Sequence, residues 1–400
     1  MGIKSLNKFL RDYYHDIFEP IHISEYHFKK VAIDTSLYLC HYKAMYGEQG
    51  WLTAFIKLVS CLRENDIHCV FIYDTGFPPE KEAERKERYL ARKKLREKVF
   101  KLETAIEKYH STGEIDEILL DFSNKKNLRN KSFSTNSWRN NFFNIRFVEF
   151  EVKKLKKQLF SISKKDFQTT KNLFDILKVP YYDAPLEAET MCADLCMRGE
   201  VDAVLTEDTD VLAYGAHVFL TKLNVGNGTC IRIKHEDILR KMDFTKEQFL
   251  DFCIMCGTDY NKNIFKIGPS RAQKLLDKNK SIDNIALNEN INVSILNHNR
   301  VREIFTKYEK NEALVPYCGI PDFNELEVFL TEKNLRINRA FLESSFTKNN
   351  IVFLEENEES QENVENKSEE NLESIETSIE IESVPEILLE PVCETKLTES

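Results

Sequence analysis

Four stretches of the chain end an apolar run in carboxylates: KKVAIDTSLYL carries Asp34, CVFIYDTGFPP carries Asp74, APLEAETMCADL carries Glu187 and Glu189, and VLTEDTDVL carries Asp208 and Asp210. The two i, i+2 pairs would repel strongly if brought together; at about 4 Å and an effective dielectric near 20, each like-charged pair costs roughly 4 kcal/mol. Something positive must offset that repulsion. Hard divalent cations with oxygen ligands do so, and Mg²⁺ takes one or two carboxylates while retaining waters and accepting phosphate oxygens. A multi-carboxylate edge with little His or Cys therefore points to two-metal phosphoryl transfer. Taken singly, each acid has a plainer reading: Asp34 as a helix N-cap, Asp74 as a turn former before TGFPP, Glu187 and Glu189 as acids of a first helical turn. It is the sum of the segments that favours chemistry.

Such a site needs an element that gathers distant acids. Continuous apolar runs followed by helical segments read as buried parallel strands with helical crossovers, and open sheets of this kind place their sites outside the carboxyl ends of the strands. The expectation is an α/β fold with a mostly parallel central sheet flanked by helices. Between the second and third runs, residues 80–110 read as a charged helix poorly suited to a core. Residues 122–148, with six Lys/Arg, no Asp or Glu and much Asn and Ser, read as an irregular insert. Residues 149–178 return to helical spacing, with Phe167, Leu173, Phe174 and Leu177 as core contacts. After Gly257 a loop, a turn and a helix entry at Ile267-Gly268-Pro269 begin a small helical module.

Charge has to be read by segment. The stretch from Glu355 to Ser400 holds 16 Glu and two Lys, a net of −14, so residues 1–354 carry +4 of the whole-chain −10. The body can follow a phosphate backbone while the acid-rich tail, read as disordered, stays in solvent. No apolar run is long enough for a bilayer, and MGIKSLNKFLRDYY has no secretory or transit character. An intracellular, reducing compartment follows, and Cys253 and Cys256 read as a buried helix instead of half a zinc site.

These segments together resemble the flap endonuclease branch of the XPG-type 5′ nuclease family. The likeness runs through MGIKSL, VAIDTSLYL, VFIYDTGFPP, VPYYDAPLEAETMCADL, LTEDTDVLAYG and DFCIMCGTDYNKNIFKIGPSRAQKLL, with a gap at 105–165. It implies a PIN-like nuclease core, a helix-two-turn-helix module and metal carboxylates at Asp34, Asp74, Glu187, Glu189, Asp208, Asp210 and Asp259. It implies two Mg²⁺ ions per chain, with Mn²⁺ able to substitute, and hydrolysis leaving a 5′-phosphate. Lys81 and Arg88, two helical turns apart, would face the scissile phosphate as catalytic cations; Gly2, Arg85, Arg92, Lys266, Gly268 and Arg271 would contact DNA. A potassium ion is implied beside the helix-two-turn-helix, but Asn263 stands where the family has Ser and Lys266 where it has Gly. Cys40 takes the place of a base-stacking Tyr.

The boundaries that follow are 1–105 for an N-terminal nuclease region with a helical gateway, 106–165 for a variable insert, 166–260 for an internal nuclease region, 261–350 for the helix-two-turn-helix and C-terminal helical part, and 351–400 for the tail. The implied partner is branched or flapped DNA, bound by a monomer with no membrane. No Gln-x-x-Leu-x-x-Phe-Phe pattern is found near the C-terminus, so a sliding-clamp partner is not expected. The place of action would be the nucleus, a host nucleus if the genome is viral, or another site of DNA replication. The alternatives within the resemblance are a 5′ exonuclease, a junction resolvase or a DNA-binding replication factor whose catalysis has lapsed.

Overall fold

The computed structural model describes residues 2–130, 143–310 and 312–347, without the side chains of 125–130. Seven strands form one sheet: β1 (Glu19–His22), β2 (Lys30–Asp34), β3 (His68–Tyr73), β4 (Tyr181–Asp183), β5 (Ala203–Leu205), β6 (Val218–Thr221) and β7 (Thr229–Lys234), in the order β1-β7-β6-β5-β2-β3-β4. The centre is parallel: β2 pairs with β3 (Ala32 opposite Val70) and with β5 (Ala32 opposite Val204), and β3 pairs with β4 and β5 with β6 in the same sense. Antiparallel β7 and β1 extend one side. Pro20 is tolerated in β1 because that strand lies at the sheet edge, where a missing N–H breaks no ladder.

The central strands are buried on both faces. Val31 and Ile33 of β2 join one core with Cys69, Phe71, Ala203 and Leu205, while Ala32 joins the other with Val70, Ile72 and Val204. That alternation across a covered sheet is why the strands read as unbroken apolar runs. The core of Val31 and Ile33 packs the Thr35–Glu64 and Lys164–Leu177 helices, and that of Ala32 packs the Ala188–Met197 and Lys246–Cys256 helices. Cys253 and Cys256 are free thiols within the Lys246–Cys256 helix, buried as read from the sequence.

The charged segment after β3 is a 31-residue helix, Glu82–Thr112. Residues 122–148 depart from the irregular insert expected of them: helix Glu117–Asn130 covers their start and helix Ile145–Lys157 their end, while 131–142 lie outside the described residues. Val99, Leu102 and Ala105 bury against Leu119, Phe122, Val148 and Val152 in a third small core, an apolar stripe easily missed among so many Lys, Asn and Ser. The long helix continues through the boundary drawn at 105. The acid-rich tail lies outside the described residues.

Candidate active site

The parallel centre of the sheet sends the acids to one edge. Asp34 is the last residue of β2 and caps the Thr35–Glu64 helix, its Oδ1 accepting from Leu37 N at 3.1 Å. Asp74 follows β3 and accepts from Ala188 N at 2.7 Å. The Thr75 and Gly76 amides both donate to Leu186 O, at 2.9 and 3.1 Å, which clamps the β3 exit against the loop bearing Glu187. Glu187 takes the N-cap position of the Ala188–Met197 helix and Glu189 lies in its first turn. Asp208 and Asp210 follow β5, with Asp210 N donating to Asp208 Oδ1 at 2.9 Å. Asp259 follows the Lys246–Cys256 helix, after Gly257 turns the chain at a φ of +99°. The capping reading of Asp34 and the clustering are thus both true, whereas Asp74 bonds a distant amide instead of its own turn.

Repulsion among these carboxylates is felt across the cluster. Burial pushes the Asp34, Glu189 and Asp210 carboxyls well above the ordinary range, and the nearby acids add to it: Asp74 and Asp208 for Asp34, Glu187, Asp208 and Asp210 for Glu189, Asp208 and Asp259 for Asp210. Burial also raises Glu187 and Asp208. Asp259 ends below its ordinary value, because Lys81 and Arg88 outweigh its burial.

Lys81 and Arg88, expected to face a phosphate, turn their charges to the acids. The Lys81 ammonium lies 2.5 Å from Glu187 Oε1, 3.4 Å from Glu189 Oε1 and 3.3 Å from Asp259 Oδ2. Arg88 Nη2 lies 2.9 Å from the same Asp259 oxygen, and its Nε lies 3.1 Å from Glu84. Part of the positive charge that sequence reasoning assigned wholly to cations is therefore built into the chain. The base of the long helix is held there by Glu80 to Arg300 at 2.6 Å and Glu87 to Lys262 at 3.0 Å.

The amino-terminal residues close the cluster. Ile3 N donates to Thr209 Oγ1 at 3.0 Å and Lys4 N to Gly257 O at 2.9 Å. Gly2, at a φ of +87°, is so near that a Cβ added to it would sit 2.2 Å from Asp208 Oδ1 and 2.7 Å from Asp210 Oδ1. Gly2→Ala therefore displaces both acids. Cleavage is expected to fall by about 10²-fold, the scale of a 1 Å misplacement, in single-turnover rates measured beside an unchanged circular-dichroism spectrum.

The donor chemistry fits hard divalent cations. All seven acids offer oxygen, and Asp210, fully buried, has no hydrogen-bond partner for either carboxylate oxygen among the described residues. A charged group so placed is costly unless a cation meets it. The side chains are not set as a closed cage: among the described residues no group of three or more His, Cys, Asp or Glu is placed to hold a metal ion, and Lys81 occupies the midst of the acids instead.

Residues 1–95 match the XPG N-terminal domain and residues 178–259 the XPG I-region. The "Probable RAD2-like endonuclease 369L" of Invertebrate iridescent virus 6 is 32% identical over 96% of this chain and 100% of its own length. This chain belongs to the XPG-type flap endonuclease family. "Flap endonuclease 1" of Candida dubliniensis is 28% identical across 71% of this chain and 70% of that protein. The fold is also that of the catalytic core of Rad2 in complex with DNA substrate, with a TM-score of 0.59 at 16% identity, over 87% of this chain and 99% of that one.

The other XPG-type candidates are placed as follows by their neighbours. Arg85 covers the Phe77 ring at 3.6 Å and Arg92 the Phe160 ring at 5.2 Å, so part of each side chain is spent on packing. Lys266 and Arg271 are exposed, and Gly268 precedes the Pro269–Asn279 helix. Cys40 is fully buried, its thiol donating to Ser36 O, and cannot stack on a base. Sequence reasoning missed Tyr260 and Tyr214: Tyr260 OH donates to Glu187 Oε2 at 2.7 Å and lies 3.0 Å from Tyr214 OH. The only available signal was the place of Tyr260 beside Asp259.

The raised carboxyls make stability depend on pH. Groups whose folded pKa exceeds the unfolded value contribute stability below about pH 4, the ordinary carboxylate range, and lose it as pH rises through their folded values. Asp34, Glu187, Glu189, Asp208 and Asp210 act in that sense; Asp259 alone of those shifted acids acts oppositely. Divalent cations require the deprotonated form. The rise in melting temperature on adding Mg²⁺ should therefore grow from roughly pH 5 to pH 8; a rise independent of pH in differential scanning fluorimetry contradicts this account.

Proposed function

We propose that this protein is a divalent-metal-dependent, structure-specific endonuclease that hydrolyses one phosphodiester bond beside a single-strand to double-strand junction in flapped or branched DNA. The observation that carries the reading is the gathering of seven acids from five segments at one sheet edge, with both oxygens of buried Asp210 unpartnered among the described residues. Membership of a family of DNA nucleases supports it.

Asp34, Asp74, Glu187, Glu189, Asp208, Asp210 and Asp259 would hold two divalent ions, Mg²⁺ by preference. Such ions, when bound, lower the pKa of attacking water and stabilise charge on the phosphate and leaving oxygens. The chain's own part is placement. Tyr260 fixes Glu187 through its hydroxyl, Gly2 leaves room beside Asp208 and Asp210, and Asp74 is fixed by Ala188 N. Lys81 and Arg88 keep two positive charges beside the acids, where they can meet a phosphate whose negative charge grows in the transition state. Arg85, Arg92, Gly268 and Arg271 would bear on the DNA strands, in replication, repair or recombination within the cell.

A metal titration of cleavage on a 5′-flap duplex, beside a blunt duplex and a four-way junction, tests the reading. Mg²⁺-dependent cutting at the flap junction is expected, with Asp208→Ala binding the substrate without cutting it. Cutting of the four-way junction in preference to the flap would make it a resolvase; cutting by Asp208→Ala at the wild-type rate refutes the site.

A further inference from the structure

The helix-two-turn-helix likeness of Gly257–Leu276 implies a potassium ion at its loop, and the loop residues do not fit one. Lys266 holds a φ of +62°, the left-handed conformation for which Gly is suited, but brings a side chain with it. Its ammonium lies 5.2 Å from the centroid of the Phe265 ring, which is 83% exposed. Three of the nearby carbonyls already accept hydrogen bonds with which a cation would compete: Ile264 O from Ile267 N at 3.0 Å, Gly268 O from Arg271 N and Ala272 N at 3.0 and 2.9 Å, and Lys262 O from Asn261 Nδ2 at 3.2 Å. A tethered ammonium in the same loop also repels a second monovalent cation.

We propose that the duplex grip of this chain works without potassium, Lys266 bringing to a DNA phosphate the positive charge that a bound ion would otherwise supply. The Phe265 ring beside the ammonium favours holding it near the loop through cation–π attraction. Arg271 and Lys274, exposed and three apart on the following helix, add positive charge on one face of it. The inference rests on the nuclease reading only for the identity of its partner.

The test is binding of a short labelled blunt duplex by fluorescence anisotropy, without divalent cation, in KCl, NaCl and LiCl at equal ionic strength. Wild-type affinity should stay within about twofold across the three salts, and Lys266→Ala should flatten the log–log salt dependence by about 0.9, the loss of one phosphate contact. Lys266→Arg should keep the wild-type slope, and melting curves confirm that each variant folds. A wild-type affinity that drops several-fold when Li⁺ replaces K⁺, or an unchanged slope in Lys266→Ala, overturns the proposal. Absence of flap cleavage in Mg²⁺ would count against the nuclease reading alone, since duplex binding is read separately.

Discussion

Asp210→Asn should cripple cleavage while making the metal-free protein more stable. Asp210 is fully buried, neither of its oxygens has a partner among the described residues, and burial together with Asp208 and Asp259 disfavours its charge. Asparagine has nearly the same shape, removes the charge and offers an amide to the surrounding acids. Relief of the desolvated charge is worth about 1–3 kcal/mol, which scanning fluorimetry in EDTA would read as a melting temperature a few degrees above wild type. Loss of the carboxylate should lower single-turnover cleavage by on the order of 10³-fold, and the order of stabilities should narrow or reverse in Mg²⁺, because wild type gains more from the ion. A variant that cuts normally would remove Asp210 from the site; one that is inactive but no more stable would mean its charge is compensated in the metal-free protein.

Lys81→Met should separate two roles of one side chain. In the metal-free protein the Lys81 ammonium faces Glu187, Glu189 and Asp259 within 3.4 Å, and its pKa ends well above the ordinary lysine value because those acids outweigh its burial. Removing it leaves three buried carboxylates with less counter-charge, at a cost on the order of 3–5 kcal/mol. Saturating Mg²⁺ should recover most of that loss. Cleavage should stay down by about 10²–10³-fold, the scale of a lost charge-stabilising donor. If Mg²⁺ restores both stability and rate, Lys81 is a counter-charge and nothing more.

The parts of the site visible in the sequence were those in which one residue serves two local roles. Asp34 ends an apolar strand and caps a helix, and Glu187 and Glu189 begin a helix, so short-range rules locate them before any fold is known. What stayed hidden was long-range pairing. Nothing in a run of mixed charges marks Lys81 as the residue that turns inward to acids more than a hundred positions away. Tyr260 carries no local mark of its hydroxyl's bond to Glu187, 73 positions away. The short strands β4 and β6 were illegible for a similar reason: three or four residues show too little period, and their partners in the sheet fix them. The apolar stripe shared by Leu119, Phe122, Val148 and Val152 was hidden by polar neighbours, which is why an irregular insert was expected where two helices form.

The bond from Ile3 to Thr209, 206 positions apart, and that from Lys4 to Gly257 tie an early segment to residues synthesised long after it. A chain emerging from the ribosome can form β2, β3 and their helix early, but Ile3 and Lys4 have nothing to close upon until Thr209 and Gly257 have been made. The acid cluster is therefore incomplete in every nascent fragment that stops short of Asp259.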